Sequence, residues 1–359
     1  MTRAHIVLGY AGQNTELRKE HIFASRTCRM ATLRNAPNGL QFAIDMMQAN
    51  LEDVLRILKW NKTHGIKLFR VGSDFAPHIT NPEFLHPHDR LDYRKLVYSP
   101  ARCKRILARI GAYARKHNMR LTFHPDPFIV LGTPSPEVLV KSRRELYFHA
   151  RVLDLMGADL NSVIVLHGGG TYGNKRSAIG RWIREFDRLP VTVKRRLVIE
   201  NDEYSYNVSD MLTLSRGVKP FPLNAHGSHW KQDRTYKIPV VFDMFHYECY
   251  DIALGRRWRQ QSDEGRTFEP DQMQEQKPVD MLLPLVSRSW GSRIMKMHIS
   301  NQKPDGQLGA HSEYITRIPK YLLTLTDDLG RARIDIMVEA KMKERAVLRL
   351  RKKYPHVFI

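Results

Sequence analysis

The chain has 359 residues, 42% of them hydrophobic and 26% charged, with 58 Lys and Arg against 37 Asp and Glu for a formal net charge of +21. These proportions suit a globular chain able to bury a large core, and no apolar run approaches the roughly 18 residues of a membrane span. An enzyme of small neutral metabolites has no use for such a field. It suits a partner with one negative charge per ~1.7 Å of duplex, although ribosomal or membrane-surface association would give the same excess.

In chain order, the sequence enters Ile6-Val7-Leu8-Gly9-Tyr10 almost at once, without the charged, apolar and small-residue order of a signal peptide. This is the first of eight short apolar runs that read as strands. Asn50 is expected to cap a helix over Leu51–Lys62, with Leu51, Val54, Leu55 and Leu58 as its apolar stripe and Gly65 as its end. The second strand is read at Leu68–Val71. A helix follows Pro100 over Ala101–Lys116, and a third strand covers Arg120–Phe123. Ser135-Pro136 caps a helix that passes through Leu139, Leu146 and Leu153 and stops at Gly157. The remaining strands are read at Val163–Leu166, Leu197–Ile199, Val240–Phe242, Ile294–Met297 and Ile334–Val338. Segments near 207–237 and 255–280 read as surface insertions. Cys28, Cys103 and Cys249 are too few and too scattered for a disulfide frame; as buried small side chains they point to a reducing compartment.

Eight alternating strand–helix units predict an α/β fold, a single (β/α)₈ TIM barrel spanning 1–359. A doubly wound open sheet would usually carry G-x-G-x-x-G after its first strand; the chain has Gly9-Tyr10-Ala11-Gly12-Gln13-Asn14 there.

The residues that follow the apolar runs carry the chemistry. Strands three to eight end in His124, His167, Glu200, Asp243, His298 and Glu339, and the loops after strands two and seven supply His78 and His311. In a barrel all of these lie at the C-terminal mouth, where sites of this fold are built. One such residue alone would read as a cap or a satisfied core histidine. Six together place several carboxylates in one buried region, which costs on the order of several kcal/mol per uncompensated ion unless cations neutralise them. Mixed imidazole and carboxylate donors suit zinc or manganese. Asp243 and His246 sit at i and i+3 where a strand gives way to a turn. Lys296 and His298 share one face of a strand; Lys296 is either a counter-charge to the acids or chemically altered.

Several segments resemble the UV damage endonucleases. They are Leu8-Gly9-Tyr10, Ser25-Arg26-Thr27-Cys28-Arg29, Phe69-Arg70-Val71-Gly72-Ser73-Asp74 with Pro77-His78, and Leu121-Thr122-Phe123-His124-Pro125. The series continues with Leu146 to Met156, Ile199-Glu200-Asn201-Asp202, Phe242-Asp243 with His246, and Lys296-Met297-His298-Ile299-Ser300. Ala310-His311-Ser312 and Glu339-Ala340-Lys341 close it. Each motif is weak alone, but their order over almost the whole chain is specific.

The resemblance implies a barrel related to the apurinic endonucleases and xylose isomerase, with two or three divalent metals, manganese being typical and Zn²⁺ or Mg²⁺ the alternatives. His124, His167 and Glu200 would hold the first. Glu200, as a bridge, with Asp243, His298 and Glu339 would hold the second, and His246 and His311 a third. It further implies a carboxylated Lys296, an active-site role for His78, and cleavage of damaged double-stranded DNA 5′ to the lesion, leaving a 3′ hydroxyl and a 5′ phosphate. Tyr10, Asn14 and Phe128 are the candidates for probing the lesion, with Tyr10 and Phe128 alternatively packing the rim. The usual Pro-Gly-Gln-aromatic turn after the strand-three histidine is replaced by Pro125-Asp126-Pro127-Phe128, so lesion preference does not carry over. A monomer without an obligate protein partner is expected, inside the cell: in cytoplasm or nucleoid of a prokaryote, or in the nucleus of a eukaryote. The competing readings are a metal-dependent sugar isomerase or epimerase on the same barrel, and a non-catalytic nucleic-acid-binding barrel, which would lack ligands.

Overall fold

The computed structural model describes residues 5–35, 38–81, 100–221, 234–263 and 276–359. Its strands are β1 His5–Ala11, β2 Leu68–Arg70, β3 Arg120–Thr122, β4 Ile164–His167, β5 Leu197–Glu200, β6 Val240–Asp243, β7 Met295–Ile299 and β8 Arg333–Val338. All pairings are parallel, in the order β3-β2-β1-β8-β7-β6-β5-β4. The two ends of that order meet at one bridge between Phe123 and Ile164. There the Phe123 N–H donates to the Val163 carbonyl and the Val165 N–H to the Phe123 carbonyl, each at 2.9 Å. The sheet is therefore a TIM barrel and not an open sheet.

The strands are buried on both faces, which is why they read as continuous β-branched runs and not as alternations. Gly9 has a steric reason: a Cβ there would collide with the backbone carbonyl of Leu68, so glycine lets β1 pair closely with β2. The longer surrounding helices are Gly39–Thr63, Lys104–Lys116, Pro136–Leu155, Lys175–Arg188, Val208–Gly217, Met244–Asp263, Val279–Ser289 and Lys343–Lys353. Ser135 caps its helix as expected, its Oγ accepting from the Val138 N–H at 3.3 Å, and Gly157 takes a left-handed φ of 62° just beyond the end.

Three local readings are corrected. Asn50 lies inside a helix that starts at Gly39, so it is not a cap. Its amide instead donates to the carbonyls of Arg26 and Phe75 and accepts from the Arg26 N–H, tying the loop after β1 to the helix. The segment from 207 does not begin as an irregular insertion. Asn207 and Asp210 form a reciprocal capping box that opens the buried helix Val208–Gly217. The second proposed insertion likewise starts as helix, through Asp263; 222–233 and 264–275 lie outside the described residues.

Candidate metal centre

Parallel strands in one barrel bring their C-terminal ends to one mouth, and three overlapping donor groups form there. They are His124, His167 and Glu200; Glu200, Asp243 and His246; and Asp243, His298 and Glu339. Within each group one donor atom per residue lies within 4.8 Å of the others. Glu200 and Asp243 each belong to two groups. Glu200 is the hub: its Oε2 lies 2.9 Å from His124 Nε2 and 3.8 Å from His167 Nε2, while its Oε1 contacts His298 Nδ1. His298 Nδ1 is also 3.3 Å from Glu339 Oε1 and 3.8 Å from Asp243 Oδ2.

Backbone carbonyls set the ring orientations. His124 Nδ1 donates to Pro125 O at 3.1 Å, His246 Nδ1 to Asn201 O at 3.0 Å, and His311 Nδ1 to Glu339 O at 2.7 Å. Each bond places the proton on Nδ1 and leaves the Nε2 lone pair for a cation, as the outer partners of metal-binding histidines do. His311 Nε2 lies 4.0 Å from Glu339 Oε2, beside the cluster, although it falls in none of the three groups.

The electrostatics are those of an anionic pocket. Burial pushes the Glu200 carboxyl up, but His298 and His167 and the hydrogen bonds from His124 and His298 hold it well below the usual carboxylate range. Burial likewise opposes ionisation of Glu339, and Arg70 and His298 overcome it. Asp243 lacks that help: burial raises it to about 6 despite His246, and its Oδ2 has no hydrogen-bond partner among the described residues. An orphaned, fully buried carboxylate oxygen facing imidazoles and two further carboxylates is what a divalent cation would satisfy, so the donor set fits a metal. Lys296 is fully buried, with Nζ against His298 Nε2, and burial lowers it to about 7.

The structure gathers His124, His167, Glu200, Asp243, His246, Lys296, His298 and Glu339, with His311 adjacent. His78 stands apart: its Nε2 donates to the Cys28 carbonyl at 2.6 Å, and no contact among the described residues links it to the acids. Tyr10 and Asn14 are corrected as lesion probes. Both are 0% exposed; the Tyr10 hydroxyl donates to Asn61 Oδ1 at 2.7 Å and accepts from Asn14 Nδ2 at 3.0 Å, and its ring packs edge-on against Phe69. They brace the inside of the loop after β1 and have no face to offer a base. Phe128 is 76% exposed, on a turn in which the Ile129 N–H donates to the Asp126 carbonyl.

Sequence reasoning missed two participants. Arg70, at the end of β2, pairs with Glu339 and is the site's guanidinium counter-charge. A charged residue closing an otherwise apolar strand was the available signal. Asn201 locks β5 to β6, accepting from the Asp243 N–H at 2.9 Å and donating to the Asp243 carbonyl at 3.0 Å, which holds Asp243 beside Glu200. Its signal was an amide directly after a strand-end ligand.

A family model described as UV-endonuclease UvdE matches residues 6–357. A "Putative UV-damage endonuclease" of Acanthamoeba polyphaga mimivirus is 31% identical over 360 aligned positions, covering 99% of this chain and 93% of that protein. A "UV DNA damage endonuclease" of Bacillus mycoides (strain KBAB4) is 29% identical over 304 residues, covering 84% and 79%. The crystal structure of SacUVDE superposes with a TM-score of 0.71 at 25% identity, over 98% of this chain and all of that one.

Proposed function

This chain belongs to the UV-endonuclease family, a family of DNA repair nucleases, and from that premise we propose that it nicks damaged duplex DNA 5′ to the lesion, leaving a 3′ hydroxyl and a 5′ phosphate. Family membership sets aside the sugar isomerase and the non-catalytic barrel. The observation that carries the reading is Glu200, fully buried and shared between two donor groups. A carboxylate in that position can bridge two cations, and a scissile phosphate needs two charges, one on each side of the in-line displacement.

Manganese is the proposed occupant, with two or three ions per chain. His124, His167 and Glu200 would hold one; Glu200, Asp243, His298 and Glu339 a second; His246 and His311 a third. Bound there, the ions would lower the pKa of a coordinated water from ~15.7 toward ~7 and neutralise charge on the phosphoryl oxygens. The chain's own work is to fix the donors: carbonyls aim His124, His246 and His311, Asn201 pins Asp243, and Arg70 keeps Glu339 ionised. No protein nucleophile is required.

Lys296 follows from the tautomer of His298. Were His298 to hold a cation through Nδ1, its ring proton would sit on Nε2, facing Lys296 Nζ and needing an acceptor there. An ammonium cannot accept. The neutral amine that burial favours can, and so can a carbamate, which would form when that amine adds CO₂ and releases a proton; of the two, the carbamate brings the negative charge that would suit a site beside cations. A carbamate carbon signal in protein loaded with ¹³CO₂, absent from Lys296→Met, is the expected result.

Phe128 is the remaining candidate for contact with an unstacked base, through its exposed aromatic face. The deciding experiment is incision of defined duplexes carrying a cyclobutane dimer, a 6-4 photoproduct or an abasic site. Manganese-dependent nicking just upstream of the lesion is expected. Equal nicking of undamaged duplex, or full activity in chelator, would overturn the proposal.

A further inference from the structure

A second cavity lies at the opposite end of the barrel. It has a volume of about 460 Å³ and is reached by residues at or near the starts of six strands: His5, Lys67, Arg120, Ser162, Ile294 and Arg333. Its cations are Lys67, Arg115, Arg120 and Arg333; among the described residues its anions are Asp159 and the terminal carboxylate of Ile359. The chain's last residue, Ile359, also lines it, its N–H donating to the Ile6 carbonyl.

The arginines here are under-compensated. Asp335 serves two of them, accepting from Arg120 Nη1 at 3.2 Å and from Arg333 Nε at 2.6 Å and Nη2 at 3.1 Å. Arg120 Nε is spent on the Asn161 carbonyl, and its Nη2 has no partner among the described residues. Nearby, Arg293 is 2% exposed, with no partner for Nε or Nη2 among the described residues, and burial together with Arg120 and Arg196 pushes it down to about 9. Lys67 is exposed at the cavity edge, and its ammonium makes no hydrogen bond among the described residues. Unpaired buried guanidinium N–H groups are costly, and an anion reduces that cost by Coulomb attraction even at a few ångströms.

We infer that this cavity at the base of the barrel is a binding site for a small phosphate monoester. The phosphate would lie among Lys67, Arg115, Arg120 and Arg333. The size is that of a small-molecule cleft, and Val7, Met119, Leu121 and Ile294 give an apolar wall for the organic part. The inference is independent of the chemistry at the mouth, because none of its residues belongs to the donor cluster.

The test is calorimetric titration of the manganese-loaded chain with ribose 5-phosphate and, separately, with inorganic phosphate. Lys67→Gln and Arg115→Gln serve as variants. Any phosphate bound at the mouth contributes equally to all three proteins, so the difference reports the base. Ribose 5-phosphate should bind the parent more tightly than inorganic phosphate, and each variant should lose about tenfold, one charge-assisted contact of roughly 1.4 kcal/mol. Incision by Lys67→Gln should be unchanged. Lys67 is exposed, so that variant stays informative if Arg115→Gln, whose guanidinium caps the Met156 and Gly157 carbonyls, fails to fold. Parent-like binding in Lys67→Gln, no heat from the parent at millimolar ligand, or equal affinity for the two ligands would each overturn the assignment.

Discussion

At the base of the barrel Asp335 is shared by Arg120 and Arg333, and Asp154 accepts from Arg195 and Arg196, while Arg293 Nε and Nη2 have no hydrogen-bond partner among the described residues. At the mouth the proportions invert. Glu200, Asp243 and Glu339 share Arg70, Lys296 and a set of imidazoles, and Asp243 Oδ2 has no donor among the described residues. Each end thus carries a buried surplus, positive below and negative above. Burying charge is unfavourable unless something opposite completes it, so the sign of each surplus indicates the sign of the missing partner.

The contrast can be broken first at the mouth. Glu200→Gln keeps the shape and removes the shared charge. Losing several kcal/mol of transition-state stabilisation should cut incision on the order of 10³-fold, with binding to lesion-bearing duplex largely spared. Near-normal turnover by metal-loaded Glu200→Gln would end the bridging role. At the base, Asp335→Asn should instead act on stability. It leaves two guanidiniums facing a neutral amide, and urea unfolding should show a loss of about 3–5 kcal/mol while incision per folded molecule is retained. A parent-like midpoint would mean that the base tolerates its surplus better than the mouth does.

Removing metal sharpens the same contrast. Chelation should lower thermal stability by about 2.7 kcal/mol relative to protein held at 100 times its dissociation constant. That loss should be smaller in Glu200→Gln, which keeps the other donors, and unchanged in Lys67→Gln. Phe128→Ala should have the smallest effect: a weakening of roughly 1–3 kcal/mol for a lesion with an unstacked base, seen in lesion-binding isotherms, with no change in melting temperature. Equal affinity of parent and variant would remove Phe128 from the contact surface.

Much of the mouth was legible because one rule governs it. In a barrel, the residue after each apolar run must fall on the same rim, so His124, His167, Glu200, Asp243, His298 and Glu339 could be placed together without any tertiary information. What escaped depends on long-range partners. Asn50 resembles a cap until Arg26 and Phe75 claim its amide, and Tyr10 resembles a rim aromatic until Asn61 draws it inward. Arg70 belongs with Glu339, far away in the chain and adjacent only once the barrel closes. The helix Val208–Gly217 was hidden by its polar cap, which looks like loop until Asn207 and Asp210 are seen to satisfy each other.

The lone bridge between Phe123 and Ile164 makes the β3–β4 junction the thinnest part of the wall. His124 follows β3 and His167 is the last residue of β4, with their ring centroids 4.8 Å apart across that junction. A cation gripped by both imidazoles would therefore rivet the cylinder where it is most easily unzipped. Amide exchange at Phe123 and Val165 would then track occupancy of the site, so that holding the metal and keeping the cylinder shut become a single equilibrium.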